Sequence, residues 1–393
     1  MRVGIGFRRE LAAPLLASPS VVDFVEIVAE TCRDANLRRE ARALADIWPV
    51  VPHGVKLSLG SAEGIDDDRA KELGKLAREL RSPVVSEHVS FVRAGGREIG
   101  HLTELPMTRA AIAVVARNVV RLRRFLPDVP LLLENVARGF VWRDEDSEMS
   151  EGDFYQEIVR ATGCDLLLDL GNLYANAKNA GIDPVALLES YPLDRVAMVH
   201  VAGGVEEHGF YFDTHAHPIP EPVYDLVARA GCDTVLLERD ASFADDVLDE
   251  VDRLRAVRLR ERRTRRESLP QTFADEERSS LRDAQVSLAE RLTTSTPAPN
   301  EDRAVIRARS VLERKRADDA LPLLPELGPR LSQHDALALG KIRETPRLPQ
   351  KTAIADAMRI AESALARDDL ASFAARDLAM LRKRFSPWWR VFG

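Results

Sequence analysis

The chain has 393 residues, 45% of them hydrophobic, which is enough for a large core and for more than one domain. Lys and Arg number 56 against 63 Asp and Glu, so the net charge of −7 gives no general attraction to nucleic acids or to anionic membranes. The N-terminus has no apolar signal segment, no apolar run approaches the roughly 20 residues that cross a bilayer, and the three cysteines are widely spaced. We therefore expect a soluble, cytoplasmic protein without a disulfide framework or a thiolate zinc site.

Short apolar segments alternate with amphipathic helical patterns from the N-terminus to about residue 260. The predicted strands are Arg2–Gly6, Asp23–Val28, Val50–Leu59, Pro83–Ser90, Pro130–Glu134, Asp165–Asp169, Val196–Val201 and Thr234–Glu238. The predicted helices include Asp66–Arg81, Thr108–Phe125, Asp153–Thr162, Pro222–Ala230 and Asp245–Arg260. Eight strand-then-helix units predict an α/β protein with a closed (β/α)8 TIM barrel. A doubly wound open sheet is the alternative, but no G-x-G-x-x-G motif follows the first strand.

The chain beyond the barrel pattern has a different character. Arginines are dense from 253 to 266, a Thr-, Ser- and Pro-rich stretch follows at 293–300, and four helical patterns then fill most of the remaining chain. We predict a barrel domain over 1–262, a charged segment and linker over 263–300, and an α-helical C-terminal region over 301–393. One hypothesis for the helical region is that it binds a peptide or a partner protein.

The stretch Asp213-Thr-His215-Ala-His217 carries a candidate metal-binding pattern. In an extended backbone, side chains two residues apart project to the same side, so one carboxylate and two imidazoles could meet at one point. Such a mixture of oxygen and nitrogen donors suits a transition metal. A polar surface loop is the alternative, and the stretch alone does not decide between the two.

Other imidazoles and carboxylates fall within or near the ends of the predicted strands. They are His53, His88, Glu134, Asp169, His200 and Glu238. Because the carboxyl ends of barrel strands meet at one mouth, we expect these six side chains to converge there with Asp213 and His215. A single catalytic metal needs roughly three protein ligands, so eight candidates predict two or three ions. With no cysteine among them, iron or manganese is favoured over structural zinc, although zinc stays open.

Short motifs around these residues carry a family resemblance. They are His53-Gly-Val-Lys-Leu-Ser-Leu-Gly60, Ser86-Glu-His-Val-Ser90, Leu132-Leu-Glu-Asn135, Leu167-Leu-Asp-Leu-Gly-Asn-Leu-Tyr174, His200-Val-Ala-Gly203, Asp213-Thr-His-Ala-His-Pro218 and Leu236-Leu-Glu238. In their order and spacing over about residues 1–245, the chain resembles the DUF692 family, the multinuclear non-haem iron-dependent oxidases (MNIO) that modify ribosomally synthesised peptides in RiPP biosynthesis.

The resemblance implies a xylose-isomerase-like barrel that holds two or three irons, in mixed ferrous and ferric states. It implies O2-dependent oxidation of a precursor peptide, commonly at cysteine, and often a separate partner protein that binds the leader of the precursor. By position, the eight residues named above match the iron ligands of the family, with Asn172 as a further one. We expect Glu30, Glu87, Asn135 and His217 to lie around the ligands or to face the substrate.

The sequence departs from the family pattern close to the expected ligands. The family pattern implies Asn at positions 31 and 171 and His at position 204, where this chain has Thr31, Gly171 and Gly204. These departures leave the expected ligands in place, but they bear on the substrate and on the reaction.

Other functions remain open at this stage. A barrel with several metal ligands could hydrolyse a phosphodiester with zinc or isomerise a sugar. The acidic residues Glu206, Glu207 and Asp213 near the expected site disfavour a nucleic acid substrate. A non-enzymatic, metal-dependent peptide-binding protein would need a closed ligand shell.

Overall fold

Twelve strands and fourteen helices make up the computed structural model, which describes residues 1–139, 142, 146–243, 246–261, 278–293, 301–345 and 352–389, with side chains as far as 385. The strands are β1 (Arg2–Gly6), β2 (Phe24–Val28), β3 (Val50–Gly54), β4 (Val85–His88), β5 (Phe91–Ala94), β6 (Arg97–Thr103), β7 (Leu131–Glu134), β8 (Asp165–Asp169), β9 (Val196–Val201), β10 (Gly203–Glu207), β11 (Phe210–His217) and β12 (Thr234–Leu237).

The helices are α1 (Ala12–Ala17), α2 (Ala35–Ala45), α3 (Asp67–Glu79), α4 (Arg109–Arg123), α5 (Glu151–Thr162), α6 (Leu170–Ala180), α7 (Pro184–Ser190), α8 (Glu221–Ala230), α9 (Asp246–Arg255), α10 (Arg278–Thr293), α11 (Arg303–Ala320), α12 (Gln333–Leu339), α13 (Thr352–Ala364) and α14 (Ala371–Trp389). Among the described helices, none is long and apolar enough to cross a membrane.

Eight parallel strands close into a barrel in the order β1-β12-β9-β8-β7-β4-β3-β2. Two antiparallel hairpins, β5-β6 and β10-β11, follow β4 and β9. The predicted (β/α)8 barrel with an α-helical C-terminal extension is therefore confirmed. The two hairpins were not predicted, because each is a short insertion into the alternation of strands and helices.

Two predicted boundaries are wrong for local reasons. The strand predicted over Val50–Leu59 ends at Gly54, because the main-chain N–H groups of the next three residues donate to the carboxylates of Glu30 and Glu87. The helix predicted to reach Arg260 ends at Arg255, and the Arg260 N–H donates to the main-chain oxygen of Ala228. In both places the main-chain N–H groups form hydrogen bonds to residues outside the predicted element.

A layer of six apolar side chains, one from each of six strands, forms a buried cluster inside the barrel. The members are Phe24, Val51, Leu132, Leu167, Met198 and Leu236. The residues two positions further along the chain are Glu26, His53, Glu134, Asp169, His200 and, directly after the end of β12, Glu238. Because strand side chains alternate between the two faces, each of these polar side chains projects to the same side as the apolar residue before it. The alternation therefore places a ring of acids and imidazoles one step above an apolar floor, at the carboxyl ends of the strands.

The chain divides into two compact units. The first comprises 1–92 and 102–282, and the second comprises 93–101 and 283–393. Within the second unit, helices α11 to α14 surround a core that includes Leu324, Ile360 and Leu378. The guanidinium of Arg316 is buried there and donates to Asp356 through two hydrogen bonds of 2.9 and 2.8 Å, which neutralises both charges. Of the predicted segment 263–300, only Arg278–Thr293 lies within the described residues, where it forms α10.

Candidate metal centre

The first group of candidate ligands joins the ends of β3, β4 and β7. The Glu134 Oε2 atom lies 3.4 Å from His53 Nε2 and 3.3 Å from His88 Nε2, and all three side chains are buried. Adjacent strands bring them together, since His88 is directly opposite Glu134 in the register of β4 and β7. The group consists of two imidazoles and one carboxylate.

The second group shares Glu134 with the first. The His200 Nδ1 atom lies 3.3 Å from Glu134 Oε1 and 3.4 Å from Glu238 Oε2. Asp169 completes the group, and its candidate ligand atom lies within 4.8 Å of the other three. The register of β8 and β9 pairs Asp169 with His200, so this group too follows from the barrel topology.

The third group shares Asp169 with the second and draws its other members from the β10-β11 hairpin. His215 Nε2 lies 2.6 Å from Asp213 Oδ2, and both residues are on β11. His215 has a φ of +53°, a left-handed backbone conformation that is uncommon outside glycine. Its main-chain oxygen accepts a hydrogen bond of 2.7 Å from the Asp240 N–H, which ties the hairpin to the end of β12.

Several buried atoms of these groups suit a bound cation. Within the described residues, Glu134 Oε2, Asp169 Oδ2, His200 Nδ1 and Asp213 Oδ1 are buried without a hydrogen-bond partner. Unpaired buried polar atoms are costly, and a cation would compensate all four. Two ligand atoms that share an ion at about 2.1 Å lie roughly 3.0–3.4 Å apart, and the separations around Glu134 and His200 are 3.3 and 3.4 Å. The donor set and its spacing therefore fit metal ions.

Hydrogen bonds on the far sides of the imidazoles hold them in place. His53 Nδ1 is 2.8 Å from Ser86 Oγ, His88 Nδ1 donates to the main-chain oxygen of Gly54 at 3.0 Å, and His200 Nε2 is 3.2 Å from Glu26 Oε2. Each contact leaves the other ring nitrogen directed toward Glu134. Such outer contacts fix the tautomer of a metal-binding histidine.

Neighbouring carboxylates make the buried imidazoles basic. Burial opposes the protonated form of His88, but the charges of Glu134 and Glu87 outweigh it and raise the pKa of His88 to about 9. The same opposition raises the pKa values of His200 and His215 well above the ordinary value, because carboxylates surround both rings. In the absence of a bound cation, protons on the imidazoles therefore balance the acidic charge.

The acids of the centre divide into two kinds. Burial opposes their ionised forms, but adjacent imidazoles lower the pKa of Glu134 and lower that of Glu238 well below its usual value. Asp169 differs, since burial together with the charge of Asp213 raises its pKa to about 8. Asp169 therefore holds a proton at neutral pH until a cation replaces it.

The two asparagines predicted near the centre connect the ends of β7 and β8. Asn135 accepts the Asp169 N–H at 2.8 Å and donates to the Asp169 main-chain oxygen at 2.9 Å. Asn172 donates its side-chain amide to the Asn135 main-chain oxygen at 3.0 Å and its N–H to Asp169 Oδ1 at 2.7 Å. These bonds orient Asp169, and the assignment of Asn172 as a ligand stays a prediction.

The other residues predicted near the ligands, Glu30, Glu87 and His217, differ in how closely they approach the centre. Glu87 is buried beside His88 and accepts a hydrogen bond from the N–H of Leu57. Burial and the nearby charge of Glu87 raise the pKa of Glu30. A Cβ atom on Gly54 would lie 2.5 Å from Glu87 Oε2, so this close approach requires glycine. His217 is exposed at the end of β11 and belongs to none of the three groups among the described residues.

Two residues that contact the centre were missed by sequence reasoning. Glu26 is buried in the middle of β2 and contacts His200, and its only sequence signal is a carboxylate inside an apolar strand. Asp240 lies 3.7 Å from His215 Nδ1 and is paired with Arg8. Asp240 follows the last strand in a loop, where an acidic residue carries no signal.

These features define a (β/α)8-barrel protein with a candidate multinuclear metal centre at the barrel mouth. The family model of the RiPP precursor modification enzymes MbnB/TglH/ChrH matches residues 2–258. The chain belongs to this family, which confirms the resemblance found in the motifs.

Individual relatives are similar over the same region. A UPF0276 protein of Streptomyces avermitilis is 43% identical over 258 residues, which are 62% of this chain and 51% of that protein, so the match spans about half of the relative. A UPF0276 protein of Rhizorhabdus wittichii is 35% identical over 63% of this chain and 91% of its own length. Among solved structures, endonuclease IV from Thermus thermophilus is similar with a TM-score of 0.44 and 19% identity, covering 65% of this chain and 98% of that one.

Proposed function

We propose that this protein is an iron-dependent oxidase that uses O2 to modify a ribosomally synthesised precursor peptide, with cysteine as the modified residue. Membership of a family of precursor modification enzymes supports the peptide substrate. The observation that carries the proposal is the chain of three ligand groups linked by Glu134 and Asp169. Such sharing suits two or three adjacent ions bridged by carboxylates.

The composition of the groups supports iron. The first group has two imidazoles and one carboxylate, the ligand set of non-haem ferrous oxygenases, and none of the groups contains cysteine. We propose His53, His88, Glu134, Asp169, His200, Asp213, His215 and Glu238 as the iron ligands, with Asn172 as a further one. Bound iron would supply redox chemistry with O2 and Lewis-acid binding of a thiolate.

The protein's own side chains would then direct the substrate. The side chains of His53, His88 and His200 are at most 6% exposed, whereas that of His215 is 21% exposed. The third group is therefore the open side of the centre. Gly171 keeps this side open, because even a Cβ atom there would lie 3.2 Å from Asp169 Oδ1. We propose that the modified residue approaches here, while the apolar floor excludes water from below.

The test is to purify the protein anaerobically with ferrous iron and to measure its metal content. O2 uptake and peptide mass are then followed with the small peptide encoded next to the gene. We expect two or three irons per chain, O2 uptake and a mass change of the peptide. His53→Ala and His215→Ala should each lower the iron content, whereas His208→Ala, in the exposed turn between β10 and β11, should not. Stoichiometric zinc without O2 uptake would instead support a hydrolase or an isomerase.

A further inference from the structure

An open groove of about 320 Å³ lies beside the barrel mouth, between the ends of β1 and β2 and helix α2. Its lining is mainly apolar and includes Phe7, Ile27, Val28, Leu37, Ala41 and Leu44. We call it the β1–α2 groove. Its volume falls within the range of about 300–1,000 Å³ that is typical of ligand-binding clefts.

The groove is adjacent to the open side of the candidate metal centre. Val28 is two residues beyond Glu26 on β2 and therefore projects to the same side, one step closer to the mouth. Arg8, which also lines the groove, is paired with Asp240. Asp240 Oδ2 in turn lies 3.7 Å from His215 Nδ1. Two side chains thus separate the groove from the third ligand group.

The rim of the groove is charged and bridged by an ion pair. Arg9, from the turn after β1, donates to Glu40 on α2 through hydrogen bonds of 3.0 and 2.6 Å. The lining holds two arginines, Arg8 and Arg9, and two glutamates, Glu10 and Glu40, so it offers no net charge to select a charged ligand. The partly exposed apolar side chains Phe7, Val28 and Leu37 are what the groove offers to a partner.

We propose that the β1–α2 groove receives an apolar side chain of the precursor peptide, close in sequence to the residue presented to the third ligand group. This proposal rests on the proposed function, because it takes the peptide as the substrate. The short link from the groove through Arg8 and Asp240 to His215 argues for the peptide as the occupant, because a peptide residue held at the third ligand group would leave a neighbouring residue within reach of the groove. The groove thereby selects which residue of the peptide is modified.

The test measures binding of the small peptide encoded next to the gene, labelled with fluorescein, to the metal-loaded protein without O2. Leu37→Asp places a charge in the groove, and Leu16→Asp, on exposed α1 outside the groove, is the matched control. The loss of one buried apolar contact should raise the Kd about tenfold to a hundredfold in Leu37→Asp and leave it unchanged in the control. Metal content should be equal in all three proteins.

A second variant and a peptide scan make the outcome specific. Ala41→Leu, which fills the groove without adding charge, should also weaken binding. One apolar peptide residue should weaken wild-type binding when replaced by Ala but have no further effect in Leu37→Asp. An unchanged Kd in both folded variants overturns the proposal, as does the absence of peptide binding to the wild type. A loss of self-association in Leu37→Asp, seen by light scattering, assigns the groove to a second copy. The proposed oxidase function is tested separately, by turnover of the peptide with the wild-type protein.

Discussion

Metal binding should release about two protons or more from this protein at pH 7. Ligands bind a metal in their deprotonated forms, so any proton on them must leave. His88, with a pKa of about 9, is then about 99% protonated, and Asp169, with a pKa of about 8, is about 90% protonated. The pKa values of His200 and His215 are also raised, because carboxylates surround both rings, so any protons on them add to this number. Glu134 and Glu238 add none, because their pKa values are lowered.

Calorimetry measures this number directly. The metal-free protein is titrated with Mn2+ or Zn2+, which avoid redox changes, in buffers of different ionisation enthalpy at pH 7. The slope of the observed enthalpy against the buffer enthalpy gives the protons released. The slope should fall when the titration is repeated at pH 9.5, where His88 and Asp169 have already lost most of their protons.

Two variants separate the centre from the rest of the chain. Asp169→Asn should release about one proton fewer, since the amide carries no titrating proton. His208→Ala should match the wild type, because His208 lies in the exposed hairpin turn. Release of fewer than about one proton per chain at pH 7 would refute the reasoning, since it would mean that metals do not displace the protons of these groups.

Further predictions concern stability and orientation. The metal-free protein should lose a few kcal/mol of stability as the pH rises from about 6 to 9, because His88 and Asp169 hold more protons when folded than when unfolded. Bound metal should remove this pH dependence, and thermal melts at several pH values measure both effects. Glu26→Ala should weaken metal binding about 10–100-fold in chelator competition, and Glu26→Gln, which keeps an acceptor for the imidazole, should weaken it less. Gly74→Ala should destabilise the fold by about 3 kcal/mol or more, because its Cβ would lie 2.0 Å from a main-chain oxygen. Lys75→Ala, on the exposed side of the helix, should not change the stability, and urea unfolding compares the two variants.

The barrel and most of its mouth could be predicted from local patterns. Asp169 and Glu134 end their strands where the predictions placed the ends, since an apolar run that stops at a carboxylate marks both the strand and its exit. Glu26 was not recognised because it lies in the middle of β2 and not at its end. A single carboxylate inside an apolar strand does not indicate by itself that the residue contacts a site. Its contact with His200 depends on two strands 174 residues apart in sequence.

The sharing of ligands could not be predicted either. The sequence suggests two or three ions from the number of donors, but only the three-dimensional arrangement distinguishes which carboxylates belong to two groups. Glu134 and Asp169 do so because each carries two oxygens and lies between other candidate ligands at the mouth. The grouping of residues 93–101 with the C-terminal helices is likewise a long-range property that no local pattern contains. The role of residues 301–393 in binding a peptide or partner stays a prediction.

The apolar floor and the polar ring above it come from the same six strands, and this links accuracy of folding to chemistry. A slip of one residue in the pairing of any of these strands would turn its apolar residue and its polar residue away from the barrel interior together. A barrel assembled in the wrong register would therefore be unstable and would also lack the candidate metal centre. Selection for a well-packed barrel interior would therefore also preserve the arrangement of the candidate ligands at the mouth.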